Sequence, residues 1–489
     1  MFQRSLLSFR FHSLLPTAMK FMSTSSAAEA NLPAAPTKLK PPMNTQAFQQ
    51  IIQKKKASAK KVLPHIPKLP QTNNIQEVYQ YYHQNSENLK LVHYVIIFSR
   101  LAHLKPKSID TTNRYIQRIV NAVCKYRLDK RPHALSSLIK YASIIGIKDR
   151  TLWIKFISAL KYVNLSQCPN DISLIVNFMS QANIKGEDLW KDLQDLAEKI
   201  MDSNLMGYHS VEMLLQGFLN KPLQPGFRAK LISKIKQQAS FIDLEAMKNL
   251  VSFSFKYRFD DPELWSYLKK WTLFRLNKPE QQFTLTDQYP YMIYCYGRAA
   301  IDGLLTGEAV QNQAFFAELF DYYMKTKETL ETLVDGTNNA MLAYYGFVTG
   351  FSACNVENSA VKDTFNEYVK NHQGELKIRD YSLLLHLFNE ERAAYYLSEE
   401  TVEMLKGYIV KNLPQFTLEQ YSLIIGIVDR LEGAEKERIM KTLITTLDYF
   451  VQLNPRHKLL PKILKEFEDR GILSSEKIQE MKILFNIKG

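Results

Sequence analysis

SSLIKYASIIGIKDRTLW, residues 136–153, lies without a gap over SLIVNFMSQANIKGEDLW, residues 173–190. Ser136 matches Ser173, Tyr141 matches Phe178, Ser143 matches Ser180, Ile147 matches Ile184 and Lys148 matches Lys185. Both stretches end on Leu-Trp, and a third such pair, Leu264-Trp265, lies 75 residues beyond Trp190, close to twice the first spacing of 37. Phe227 stands at the skipped position. The same template fits IIFSRLAHLK (96–105), with Phe98 and Leu104 in register, and NLVSFSFKYRFDDPELW (249–265), with Phe253 and Phe259. Two helices of about 13 residues joined by short turns need a period of this length, so each unit is expected to be a helical hairpin.

Within the unit, Leu138, Tyr141, Ala142 and Ile145 follow the spacing of one buried helix face. Gly146 suits a helix stop, Asp149 suits the cap of the next helix, and Trp153 falls in that helix's first turn. Towards the C-terminus DYSLLLHLFNEE (380–391) and QYSLIIGIVDRL (420–431) repeat with an offset of 40, aligning Tyr381-Ser382-Leu383 with Tyr421-Ser422-Leu423. Between residues 290 and 370 the spacing is longer. One hairpin cannot bury its own apolar face, whereas a stack can. The expected fold is therefore all-α: an α-solenoid of eight to ten stacked hairpins with a repeat of about 37–40 residues.

Composition agrees. The 489 residues are 46% hydrophobic, with 17 glycines and 19 prolines, too few for a turn-rich β architecture. Cys124, Cys168, Cys295 and Cys354 are scattered without a CxxC pair, which argues against a disulfide framework and reads as small core residues. No run of about 18 apolar residues suggests a membrane span.

Charge divides the chain. Residues 1–70 carry a net +10, residues 71–280 a net +11 and residues 281–489 a net −7. The expected organisation is a mitochondrial transit peptide at 1–26, a disordered, basic, proline-rich tail at 27–75, a basic repeat region at 76–280 and an acidic repeat region at 281–489. The first segment, MFQRSLLSFRFHSLLPTAMKFMSTSS, has Arg4, Arg10 and Lys20 with no acidic residue before Glu29, the pattern of an import signal to the mitochondrial matrix. The tail contains Pro33, Pro36, Pro41, Pro42, Pro64, Pro67, Pro70 and the run Lys54–Lys56.

The repeat unit resembles the helical hairpins of organellar RNA-binding proteins, and among these the octotricopeptide and FAST-kinase-like group, whose repeats share a Leu-Leu, aromatic, Leu-Gly, Leu core. The resemblance covers roughly residues 90–270 and, more weakly, 380–450. It implies a protein that binds or processes organellar RNA, or a ribosomal component. Members often end in a small nuclease-like RAP domain. Residues 452–489, QLNPRHKLLPKILKEFEDRGILSSEKIQEMKILFNIKG, read instead as helices, a departure that favours binding without nuclease activity. The units do not read as pentatricopeptide repeats, so no base-recognition code is implied.

No phosphate loop, dinucleotide fingerprint, HExxH or GxSxG motif occurs. His83, His93, His103 and His133 are unevenly spaced, so neither a metal nor another cofactor is expected. Glu390-Glu391 and Glu399-Glu400 are neighbours that point apart on a helix. The chemistry-bearing segment is CKYRLDKRPH (124–133), in which Lys125, Arg127, Lys130 and Arg131 surround Tyr126. Cations of this kind neutralise phosphates, and an exposed tyrosine can stack on an unpaired base. Lys105, Lys148 and Lys185 recur after the aligned aliphatic position and would form a row along one edge. Two readings of these residues stand: a contact with mitochondrial RNA, or a soluble face on a subunit of a mitochondrial ribonucleoprotein or membrane-associated complex, with Tyr126 in the core.

Overall fold

The computed structural model describes residues 69, 74–104, 110–165, 168–203, 206–277, 288–305, 307–332, 336–428, 431, 433–454, 457 and 459–484. The expected transit peptide, nearly all of the tail and Lys105 lie outside them. Within them are 22 α-helices and no β-strand. The fold class expected from the repeat is thus all-α, as found.

Helix α1 (Ile75–Asn85) precedes a succession of hairpins. These are α2 (Leu91–His103) with α3 (Arg114–Cys124), α4 (Pro132–Ile145) with α5 (Arg150–Leu160), and α6 (Pro169–Gln181) with α7 (Glu187–Ile200). Next come α8 (Tyr208–Phe218) with α9 (Pro225–Ala239), α10 (Leu244–Lys256) with α11 (Pro262–Leu276), and α12 (Gln288–Ile301) with α13 (Ala309–Thr332). After α14 (Gly336–Ala353) and α15 (Ser359–Asn371) stands α16 (Ile378–Asn389), followed by a single turn, α17 (Glu391–Ala394), and α18 (Glu399–Asn412). The chain ends with α19 (Leu418–Val428), α20 (Gly433–Leu453), α21 (Leu460–Asp469) and α22 (Ser475–Leu484). The long-spaced region of the sequence is where α13, with 24 residues, and α14, with 18, outgrow the helices before them.

The first helix of each hairpin packs on the first helix of the next: α2 on α4, α4 on α6, α6 on α8, then α10, α12, α14, α16, α19 and α21 in turn. The second helices form their own layer, with α7 on α9, α9 on α11, α11 on α13, and α15 on α18 on α20. Each hairpin thereby covers the apolar face that its neighbour cannot bury alone.

Local chemistry sets the hairpin geometry. Pro132, Pro169, Pro225 and Pro262 occupy the first turn of their helices, where the missing N–H costs nothing. Asp149 accepts a hydrogen bond from the Leu152 amide at 2.8 Å and Asp261 from the Leu264 amide at 2.6 Å, satisfying orphan donors of α5 and α11. Several first helices are followed by a left-handed residue: Gly146 (φ 78°), Asn183 (φ 54°), Arg258 (φ 52°), Gly303 (φ 72°) and Asn355 (φ 56°). The next residue is apolar (Ile147, Ile184, Phe259, Leu304 or Val356), and its amide returns to the carbonyl five residues back, at 2.8–3.2 Å. Seven residues after Gly146, Asn183 and Arg258 stand the tryptophans of the three Leu-Trp pairs. Each donates its indole N–H to a carbonyl six residues upstream: Trp153 to Ile147 at 2.8 Å, Trp190 to Ile184 at 2.9 Å and Trp265 to Phe259 at 2.7 Å. The Leu-Trp repeat is therefore one structural position used three times.

Two register expectations need correction. Phe227 is fully buried, but it is the third residue of its helix, whereas the tryptophans are fourth. Pro225 starts α9 one residue nearer the aromatic ring. Tyr141 is only half-buried, because the core stripe of α4 is completed by Leu135 and Ile139 beside Leu138, Ala142 and Ile145.

Candidate nucleic-acid interface

The segment 125–131 is the connection from α3 to α4. Lys125, Arg127, Lys130 and Arg131 are all exposed there. Leu128 is the buried residue that anchors the loop. Arg127 donates to Asp129 at 3.2 Å and holds that carboxyl below the usual carboxylate range. Lys125, Lys130 and Arg131 have no ion-pair partner among the described residues.

Tyr126 is positioned differently from its cationic neighbours. It is half-buried, its hydroxyl donates to the Leu89 carbonyl at 2.7 Å, and its ring tilts against Tyr94 at 5.6 Å between centroids. Burial raises its pKa. One ring edge thus ties the loop back to the turn between α1 and α2.

Lys148 and Lys185 are exposed equivalents, each five residues before its tryptophan, in the turns from α4 to α5 and from α6 to α7. They do not join the 125–131 cluster. Arg131 caps the start of α4 and Gly146 its end, so 14 helical residues, about 20 Å, stand between the two groups. The equivalent position before Trp265 is Asp260, paired with Arg228 at 2.7 Å, so the cationic row stops there.

The structure also redistributes the basic half. Around α9 to α11 the cations are occupied: Arg228 with Asp260, Lys230 with Asp202 at 2.9 Å, and Lys236 with Asp261 at 3.1 Å and Glu263 at 2.6 Å. Lys148 and Lys185, like Lys125, Lys130 and Arg131, are exposed and have no such carboxylate partner among the described residues. In the first layer, Lys140 of α4 sits over the half-buried rings of Tyr141 and Phe178, at 5.6 and 5.8 Å from their centroids. The sequence reading assigned Tyr141 to the core and so missed this aromatic–cation pair.

One further cluster joins residues that sequence spacing kept apart. His133 at the start of α4 lies against Cys168 and Asp171 at the start of α6, with Nδ1 2.6 Å from Asp171 Oδ2 and Nε2 3.7 Å from Cys168 Sγ. Burial and the Asp171 carboxylate push the Cys168 thiol up, the reverse of what a nucleophile needs. The sequence signal was the repeat itself: Pro132 and Pro169 lie one period apart and align the two helix starts.

A comparison with the models of known protein families and with curated protein sequences returned no match to this chain.

Proposed function

We propose that this chain is a non-catalytic α-solenoid of the mitochondrial matrix that binds organellar RNA or a ribonucleoprotein, for RNA stability, processing or translation. The observation that supports it most directly is the exposed loop Lys125–Arg131, with Lys125, Lys130 and Arg131 uncommitted, in contrast to Arg228, Lys230 and Lys236 of α9, whose charges are paired with carboxylates. A flexible ammonium or guanidinium spent on an internal carboxylate cannot displace counterions from a phosphate strand; a free one can. The Lys140–Tyr141–Phe178 face adds rings on which a base could stack.

Filter binding of single-stranded RNA to the full chain over a series of salt concentrations tests the reading. Binding should weaken steeply with salt. Substituting Lys125, Arg127, Lys130 and Arg131 together by Gln should reduce the slope by roughly two to three units, at about 0.7 for each phosphate no longer neutralised. No binding at low salt would sink the proposal.

The second reading is a structural subunit of a large mitochondrial assembly such as the mitoribosome or a respiratory complex. It is favoured by the net charge of −7 over residues 281–489 and by large apolar side chains left in solvent, Phe241 at 85% and Tyr162 at 78% exposure. No described helix is long and apolar enough to cross a membrane, so such a subunit would dock through protein contacts. Its signature is co-purification with partners that survives ribonuclease.

A further inference from the structure

We propose that His133, Cys168 and Asp171 form a binding site for a borderline-soft divalent cation of the zinc class, bridging the starts of α4 and α6. Three donor types converge from two adjacent hairpins, with ligating atoms all within 4.8 Å of one another. Thiolate, imidazole and carboxylate are together the donor set that zinc and its neighbours prefer. Metal bonds of about 2.1 Å to nitrogen and about 2.3 Å to sulfur at a tetrahedral angle require the two donors to be about 3.6 Å apart. Cys168 Sγ and His133 Nε2 are 3.7 Å apart.

Asp171 is the independent pointer. Its residue is only 5% exposed, which is costly for a carboxylate unless compensated. Ser136 Oγ donates to Oδ1 at 2.5 Å and orients the group. Oδ2 lies 2.6 Å from His133 Nδ1, yet accepts no hydrogen bond of regular geometry from a described side chain. One oxygen is thus held by an outer partner while the other points at the imidazole and thiol, the division of labour seen in metal-ligating carboxylates. As it stands the imidazole meets the thiol through Nε2 and the carboxylate through Nδ1, so a cation held by all three requires the ring, whose side chain is 79% exposed, to turn one nitrogen towards both partners.

The test is a cobalt(II) titration of the reduced full chain. A thiolate-to-cobalt charge-transfer band should rise to one equivalent and be erased by zinc. Cys168→Ser should abolish the band while far-ultraviolet circular dichroism stays unchanged. His133→Ala and Asp171→Asn should each weaken cobalt binding at least tenfold, and Ser136→Ala about tenfold, in line with removal of an orienting partner. A triple variant, Cys124→Ser, Cys295→Ser and Cys354→Ser, should retain the band. A wild-type chain that shows no charge-transfer band, or a Cys168→Ser variant that keeps it, overturns the site and leaves the cluster as an ion pair beside a thiol. The readout involves no RNA, so it stands or falls separately from the proposed function.

Discussion

At the residue scale, the three tryptophans are the sharpest test of the repeat. Each ring is nearly buried, and each indole N–H has the same backbone acceptor position. Trp153→Phe should keep most of the apolar packing and remove one buried hydrogen bond, leaving the Ile147 carbonyl without its donor, a cost of about 1–2 kcal/mol. Trp153→Ala should cost about 3–5 kcal/mol. Urea unfolding of the matched pairs at Trp190 and Trp265 should give the same ordering, and a pair that breaks it would show that the equivalence is geometric only. A second residue-level effect depends on pH. Burial, aided by the nearby Arg298 guanidinium, lowers the pKa of His386 to about 4. The unfolded chain binds a proton near pH 6.5 and the folded chain only near 4, so the unfolded state holds more protons between these values. The contribution is therefore complete above about pH 6.5 and is lost as pH falls towards 4, by about 2–3 kcal/mol. His386→Gln should flatten the acid limb of a stability–pH curve; an unchanged limb would remove His386 as its source.

At the element scale, helix approach in the first layer is limited by glycine. A Cβ on Gly346 would meet the Ile293 carbonyl oxygen at 2.5 Å, and one on Gly217 would meet the Asn177 backbone nitrogen at 2.8 Å. These neighbours are backbone atoms, which cannot swing aside. Gly346→Ala should force α12 and α14 apart and cost about 1–3 kcal/mol or more, despite alanine's better helix propensity. Gly407→Ala on α18, where nothing lies within 4 Å, should be neutral or slightly stabilising, and thermal unfolding of the two variants side by side distinguishes packing from propensity. The cationic loops also belong to this scale. Because α4 separates 125–131 from Lys148, a short RNA reaching only one edge should respond to the loop variant and ignore Lys148→Gln with Lys185→Gln. A strand long enough to cross about 20 Å of helix should respond to both.

At the scale of the whole molecule, nearest-neighbour stacking predicts graded opening rather than one all-or-none event. Amide exchange should be slowest in α12 and α14, where the almost fully buried Tyr296, Tyr344 and Phe351 pack on Phe315, Tyr323 and Phe316 of α13 respectively. It should be fastest in α22, where Ile483 and Leu484 remain 80% and 71% exposed. Uniform protection along the chain would contradict stacked hairpins. The proposed matrix location has its own check: residues 1–40 fused to a reporter should enter mitochondria, and Arg4→Glu, Arg10→Glu and Lys20→Glu together should block entry.

Helical class, hairpin length, the left-handed stop at Gly146 and the Asp149 cap were legible in the amino-acid order, because each depends on interactions within a few residues. So was the tryptophan register, since identical neighbours recur at a fixed spacing. Phe227 shows the limit: a proline one residue nearer shifts where a helix starts, and the offset alone does not reveal it. What required tertiary structure was everything set across hairpins. The loop cations and Lys148 occupy opposite ends of α4, Arg228 and Lys236 are spent on carboxylates from the next hairpin, and Tyr126 gives its hydroxyl to Leu89. His133 meets Cys168 and Asp171 only because stacking places equivalent helix starts side by side. Local order encodes each hairpin through short-range hydrogen bonds and periodicity. Which side chains meet between hairpins is decided by how closely the helices can approach, and that distance is set by side-chain volumes from both partners at once.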